Sequence, residues 1–366
     1  MGAERRGDDD GGGGPVGGDA PLVLLGMSDG LIHAQALHFA AELGIGDLLA
    51  DGPLPSADLA AATSCDPGAL YRMLRMLAAC GVFTETGPGT FALTPLGHPL
   101  RSDHPRSVRS VLIMNGTLLP LVLDGCRHTL RTGEPAFTAV TGEDIFDHLA
   151  RDPGHADVFD AAMAELTRVV LPAVLDAYDF SSVRRVVDVG GGTGALLGAV
   201  LRAAPGATGV VLDTPHVADA ARERMRAEGL ADRATATGGD FFREVPPGGD
   251  LYLLERVLHD WPDDQATRIL RNCRHAMGDG ARLLLIESVL PPGDTYHPAK
   301  TMDLSMLVIS GGRERTVDEF TGLLAAAGLR LVGVIPTASP YSLIEAVPAP
   351  VPAPDLAARP RPARSG

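Results

Sequence analysis

Paired cysteines, basic surface and a secretory leader are all missing from this chain. Its four cysteines (Cys65, Cys80, Cys126 and Cys273) are scattered and form no C-x-x-C pair. Neither a zinc ribbon nor a redox motif is therefore spelled out, and no resident metal is expected. Isolated thiols suit a reducing compartment, where they serve as small core residues, and the expected location is the cytoplasm. Acids outnumber lysine and arginine by 46 to 31, a net charge of −15. That balance argues against general nucleic-acid binding, which needs a basic face. No apolar run reaches the length of a membrane span, so no membrane partner is expected. Met1 to Ala20 is rich in Gly and Asp and has no apolar signal core. Residues 1–21 are expected to be disordered, and the Pro-, Ala- and Arg-rich residues 348–366 to form a flexible tail.

What is present centres on Arg184 to Gly194, Arg-Arg-Val-Val-Asp-Val-Gly-Gly-Gly-Thr-Gly. A short β-branched apolar strand runs into a glycine turn, and an apolar helical run from Ala195 to Leu201 follows. Strand, glycine turn and helix frame a nucleotide-binding βα unit, in which glycines let a ligand approach the backbone and helix N–H groups face it. A second strand, Thr208 to Leu212, ends at Asp213, about 20 residues beyond the glycines, where an acid can grip a ribose through both hydroxyls. From Gly190 the spacing is G-x-G-x-G, with Ala195 at the third position of a dinucleotide fingerprint, and Asp188 precedes the turn. This pattern resembles the first motif of class I S-adenosylmethionine-dependent methyltransferases.

The 366 residues allow two domains. From 179 to 347 strands and helices alternate, with strands expected at 185–189, 208–212, 234–238, 250–255, 282–288, 330–335 and 342–347. This predicts an α/β, Rossmann-like, doubly wound seven-stranded sheet with ligands at the carboxyl ends of its strands. Thr316-Val-Asp-Glu319 is a capping box opening a helix. Residues 22–104 read as helices over Leu22–Leu49, Ser56–Ala62 (capped by Ser56) and from Asp66-Pro67 to about Cys80. A hairpin over Val82–Leu93 follows, giving an α-helical winged-helix pattern. Between 21 and 100 there are seven acids and two arginines. A DNA reader needs the opposite balance, so this part is expected to be a dimerisation domain. Residues 105–178 are expected to be helical, linking the ends and roofing the pocket: Ser107–Arg131, a loop near Gly133–Gly142, Asp144–Leu149 and Asp157–Tyr178.

Three further strand ends carry polar groups. Gly238-Gly-Asp240-Phe241-Phe follows the third strand. Asp240 can accept from an adenine amino group, and Phe241 can lie on the ring. Leu258-His259-Asp260-Trp261 follows the fourth. His259 has the ordinary pKa range for a general base. Glu287 ends the fifth strand, and Glu314 lies in Gly311-Gly-Arg-Glu-Arg-Thr316. Either carboxylate could fix the imidazole tautomer.

Together these motifs, with Leu212-Asp-Thr-Pro-His-Val217, resemble the small-molecule O-methyltransferases of the caffeate and acetylserotonin type. The bacterial relatives that tailor antibiotics and pigments resemble them equally. The resemblance covers roughly residues 20–347. It implies a cytoplasmic homodimer using S-adenosylmethionine without a metal and acting on a small aromatic acceptor. The implied cofactor contacts are Gly190, Gly192, Asp213, Asp240, Phe241 and the Arg256 carbonyl. The implied catalytic set is His259 as base, with Glu287 and Glu314 holding its ring. Met114, Asn115, Asp260, Met302 and Met306 match acceptor-lining positions. Arg256 stands where plant members carry lysine. Transfer to nitrogen or carbon, or a hydroxylase or decarboxylase relative, is the alternative. A nicotinamide oxidoreductase is disfavoured by the glycine spacing.

Overall fold

The computed structural model describes residues 19–350; the expectations for 1–18 and 351–366 lie outside them. The chain begins with α1 (Ala20–Ser28), α2 (Gly30–Glu42), α3 (Ile45–Leu48), β1 (Leu54–Pro55), α4 (Ser56–Thr63) and α5 (Pro67–Ala79). The hairpin β2 (Phe83–Gly87) and β3 (Thr90–Leu93) completes a three-stranded sheet of order β1-β3-β2. Local chemistry explains α5. The Asp66 carboxylate accepts from the Ala69 N–H at 2.8 Å, and Pro67 supplies the preset first φ. Leu70, Leu74 and Leu77 then fall on one buried face. Ser56 is not a cap: Pro55 holds that position, and no side chain bonds the first amides of α4.

Long apolar side chains on α1 and α2 face outward. Leu22, Leu24, Leu25, Met27, Leu31 and Ile32 are each more than half exposed. The stretch Ala20–Glu42 is long and apolar enough, by length and composition, to cross a bilayer. This corrects the expectation that no run reaches that length.

The middle of the chain is more broken than its sequence predicts. α6 (Arg109–Val122), a 3₁₀ turn at Leu123–Gly125 and α7 (Cys126–Thr132) replace one continuous helix, and Pro120, inside the last turn of α6, leaves the Gly116 carbonyl without its helical donor. The expected loop contains α8 (Ala136–Thr141). Next come α9 (Ile145–Arg151) and the 25-residue α10 (Pro153–Ala177), which starts four residues earlier than expected on an Asp152 cap. Val108 at the cap position of α6 offers no polar side chain, and Ser107 Oγ serves only the Arg109 N–H (3.2 Å). Glu165 of α10 supplies the cap, accepting from the N–H of Ser110 (2.7 Å) and of Val111 (3.2 Å) and from the Ser110 hydroxyl (2.9 Å).

The remainder alternates: β4 (Arg185–Val189), α11 (Ala195–Ala203), β5 (Thr208–Asp213), α12 (Pro215–Ala227), β6 (Ala234–Gly238), β7 (Leu251–Glu255), α13 (Asp263–Ala276), β8 (Arg282–Ser288), α14 (Pro298–Ile309), α15 (Val317–Ala326), β9 (Leu329–Pro336) and β10 (Tyr341–Pro348). The seven strands run in the order β6-β5-β4-β7-β8-β10-β9, and β10 alone runs opposite to the other six, antiparallel to both β8 and β9. Side-chain alternation sends Val187 and Val189 into one core and Val186 into the other. Burial on both faces explains the near-continuous apolar strands. The strand order reverses between β4 and β7, which opens a crevice at their carboxyl ends.

Candidate active site

The glycine turn forms at the end of β4. Gly190, Gly192 and Gly194 take φ of +68°, +55° and +76°, conformations closed to most side chains. A Cβ on Gly192 would meet nothing within 4 Å, so this point of the turn faces open space. Asp213, at the end of β5, accepts from the Gly192 N–H at 2.8 Å and from the Thr214 N–H at 2.7 Å. Phe241 lies against this turn, 3.6 Å from where a Gly190 Cβ would stand, and packs edge-on against Phe242 and Trp261. Asp240 is exposed and turns the chain by accepting from the Phe242 N–H at 2.8 Å.

Acids surround the crevice. Asp188 is fully buried, and among the described residues neither of its oxygens has a hydrogen-bond partner. Burial, reinforced by the charge of Glu255, pushes it up to about 8. Asp160 of α10 is pushed up to about 6, chiefly by burial; His216 opposes the shift, and Asp213 adds to it. Burial also raises Asp213, although the Thr214 and Gly192 amides pull it back. Asp188, at about 8, is mostly neutral at pH 7, whereas Asp160, at about 6, is mostly ionised, and an ionised carboxylate repels a pyrophosphate and attracts a cation. The site therefore fits S-adenosylmethionine, whose sulfonium and ammonium are positive, better than a dinucleotide.

The catalytic candidates sit one strand over. His259 lies in a 3₁₀ turn, Leu258–Asp260, just beyond β7, and is 8% exposed. Its Nδ1 lies 2.9 Å from Glu314 Oε1, and its Nε2 lies 3.7 Å from Asp260 Oδ1. A carboxylate on Nδ1 fixes the tautomer that leaves Nε2 as the acceptor. Burial alone would lower the ring's pKa. The charges of Asp260, Glu314 and Glu287 outweigh burial and raise it to about 9.

Glu287 does not bond the ring, which corrects part of the sequence reading. Its Oε1 accepts from the N–H of Val257 (3.1 Å) and Leu258 (2.8 Å), so it holds the backbone that delivers His259. Burial raises it to about 7, and the charge of His259 opposes that shift. One donor atom from each of His259, Glu287 and Glu314 lies within 4.8 Å of the others. Glu287 thus acts on the ring through space.

Arg315 was missed, although it stands inside the quoted Gly311–Thr316 motif. It is fully buried and grips both sides of His259. Nη1 donates to Leu258 O (2.9 Å), Nη2 to Trp261 O (2.8 Å) and Nε to Asp263 Oδ1 (2.9 Å). The Arg313 N–H donates to His259 O at 2.8 Å. Gly312 approaches so closely that a Cβ there would stand 2.0 Å from His259 O. Asp303 of α14 accepts from the Glu314 N–H at 2.9 Å, which ties that helix to the His259–Glu314 pair.

Arg256 is the second departure from a backbone-only role. Its φ is +53°, a strained value for a side chain, worth about 1–3 kcal/mol. Its buried guanidinium bonds the Thr167 hydroxyl (2.8 Å) and Met163 O (3.3 Å) of α10 and pairs with Glu255 (3.4 Å). It fastens the roof helix to the strand end. Met302 and Met306 lie one turn apart on α14, half-buried. Met114 and Asn115 lie on α6, with Asn115 exposed. α8 touches both helices and joins them into one layer. Phe146 of α9 stacks on Trp261 at 5.0 Å, closing that layer over the His259 turn.

A left-handed glycine turn after β4, an acid at the tip of β5 and a buried His–Glu pair beyond β7 on the other side of β4 fit an S-adenosylmethionine-dependent methyltransferase. The chain belongs to the O-methyltransferase family: an O-methyltransferase dimerisation domain matches residues 25–102, and an O-methyltransferase domain matches residues 125–330. Among its relatives is phenazine O-methyltransferase PhzM of Lysobacter antibioticus, 47% identical over 333 residues, or 90% of this chain and 98% of that one. Another is 8-amino-8-demethylriboflavin N,N-dimethyltransferase of Streptomyces davaonensis, 42% identical over 318 residues, 85% of this chain and 91% of that one. The O-methyltransferase NcsB1 from neocarzinostatin biosynthesis was solved with S-adenosylmethionine and 2-hydroxy-5-methyl naphthoic acid. It superposes with a TM-score of 0.74 at 37% identity, covering 86% of this chain and 96% of that one.

Proposed function

We propose that this enzyme methylates the hydroxyl of a small planar phenol, with His259 as general base and Glu314 as the group that orients it. The observation that carries the reading is the buried Nδ1–Glu314 contact of 2.9 Å, which leaves Nε2 as the acceptor. S-adenosylmethionine, when bound, supplies an electrophilic methyl group. Asp213 and the Gly190 and Gly192 backbone would hold its nucleoside, with Asp240 and Phe241 at the adenine and the Arg256 carbonyl toward the amino-acid end. His259 Nε2 takes the phenol proton as the oxygen attacks, and the ring later returns that proton to water. A phenol titrates near 10 and the ring near 9, so the transfer is close to balanced. Met114, Asn115, Asp260, Met302 and Met306 would shape the acceptor pocket. The exposed apolar face of α1 and α2 is covered by a second copy, making the enzyme a homodimer.

The test is His259→Ala. Turnover of a phenolic acceptor is expected to fall about 10²–10⁴-fold, with S-adenosylhomocysteine affinity unchanged by calorimetry. Unchanged turnover would overturn the base assignment. It would favour an arylamine acceptor, as the riboflavin relative's name implies for that protein, because a neutral amine attacks without prior proton loss.

A further inference from the structure

The scattered cysteines spell out no metal motif, yet three ligand-type side chains converge where α9 meets α10. We propose that His148, Asp152 and His155 form a binding site for a zinc-class transition metal, separate from the methyl-transfer site.

The spacing does the gathering. His148 lies in the last turn of α9, Asp152 caps α10, and His155 stands in the first turn of α10. His148 Nε2 lies 2.8 Å from His155 Nδ1, and Asp152 Oδ2 lies 3.4 Å from the same nitrogen. One donor atom from each residue falls within 4.8 Å of the other two. Zinc bonds of about 2.0–2.1 Å in a tetrahedron set ligand atoms about 3.3 Å apart. One edge already matches that figure, one must open slightly, and small rotamer shifts suffice. Two imidazoles and one carboxylate form a donor set suited to zinc, cobalt or nickel, with the fourth position left to water.

The surroundings carry a second mark of such sites. Ligating histidines normally donate their other ring nitrogen to a carboxylate, which fixes the tautomer. His148 is buried, and its Nδ1 meets Glu143 Oε1 at 3.0 Å, so Nε2 is turned toward the cluster with its lone pair. Arg151 Nε in turn holds Glu143 Oε2 at 3.2 Å. Asp152 is oriented too: its Oδ1 accepts from the His155 N–H at 3.1 Å, leaving Oδ2 to face the rings. The rival account is a histidine pair satisfied by its own hydrogen bond. Phe146, whose ring stacks on Trp261, is two residues from His148. An ion here would brace the roof of the acceptor pocket without touching the reacting atoms.

The experiment uses untagged full-length protein stripped with chelator. Titration with Co(II) alone is expected to give the visible bands of tetrahedral cobalt at one equivalent, displaced by Zn(II), with a rise in Tm. His155→Ala and Asp152→Asn are expected to weaken binding at least tenfold. His155 is half-buried, so its variant folds even where His148→Ala does not, and retained S-adenosylhomocysteine binding confirms this. His259→Ala is expected to leave the metal affinity unchanged. No tetrahedral band in the wild type overturns the site. So does binding that survives in His155→Ala, or binding that is lost in His259→Ala.

Discussion

The two halves of the active site are built in different ways. The half proposed for the cofactor hangs from strand ends: Gly190 to Gly194, Asp213 and Asp240 follow three adjacent strands, and each position is fixed by a register that the sheet enforces. The half proposed for the acceptor hangs from helices. α6, α8, α9, α10 and α14 come from separate stretches of chain and meet through individual contacts, such as Arg256 on Thr167 and Phe146 on Trp261. A sheet can keep one ligand unchanged while the helices above it are redrawn for another. Relatives named for phenazine, riboflavin-type and naphthoate acceptors are the expected outcome of that division.

The division breaks if a variant in one half alters the other. Glu314→Gln should give the largest effect confined to chemistry. An amide can stabilise the wrong tautomer, and turnover is expected to drop about 10²–10⁴-fold while S-adenosylhomocysteine affinity holds. Asp213→Ala is the mirror experiment. Losing charge-assisted hydrogen bonds worth about 1.5–3 kcal/mol should weaken S-adenosylhomocysteine roughly 10–100-fold by calorimetry, with the fold intact by circular dichroism. Equal damage to binding from both variants would mean that the halves are one unit.

Arg315→Lys sharpens the comparison further. Lysine cannot reach Leu258 O, Trp261 O and Asp263 together, so His259 should lose its aim. The expected result is about a tenfold loss in kcat with little change in KM for the cofactor. A purely structural role would lower Tm without that split.

The pH profile gives a subtler effect. A ring raised to about 9 is mostly protonated at pH 7, so kcat/KM should climb between pH 7 and 9 and level off above. Glu314→Gln removes one of the acids that raise it, and the remaining activity should level off at lower pH. The stabilisation of the charged ring is fully present below its unfolded value near 6.5. It is lost as pH rises through about 9, so Tm should decline across that window. A flat rate profile from 6 to 9 would remove proton transfer from the rate-limiting step.

Strand ends were legible because their chemistry is local. Gly190 to Gly194, Asp213 and His259 stand beside apolar runs that identify strands by themselves. The Asp66 cap and the Thr316–Glu319 capping box were equally plain, and both bonds of the box are present. Helix breaks were less visible. Ser56 looks like a cap, but Pro55 takes that place. The continuous pattern over Ser107–Arg131 hides the break after Val122. Roles that depend on distant partners were illegible. Nothing near Glu287 says that its oxygen will meet amides on the neighbouring strand's exit rather than an imidazole. Nothing near Arg315 says that it will straddle the histidine turn. Met163 and Asp160 carried no signal beyond sharing one face of a long helix.

With the second copy proposed above seated on them, the outward-facing leucines of the first two helices tie the enzyme's lifetime to its abundance. A surface that is satisfied only by a second copy makes folding depend on mass action, so dilution costs stability that no substitution has touched. The melting temperature should then rise with protein concentration. A cell making little of this enzyme would hold it in its most fragile form, with its stickiest segment bare.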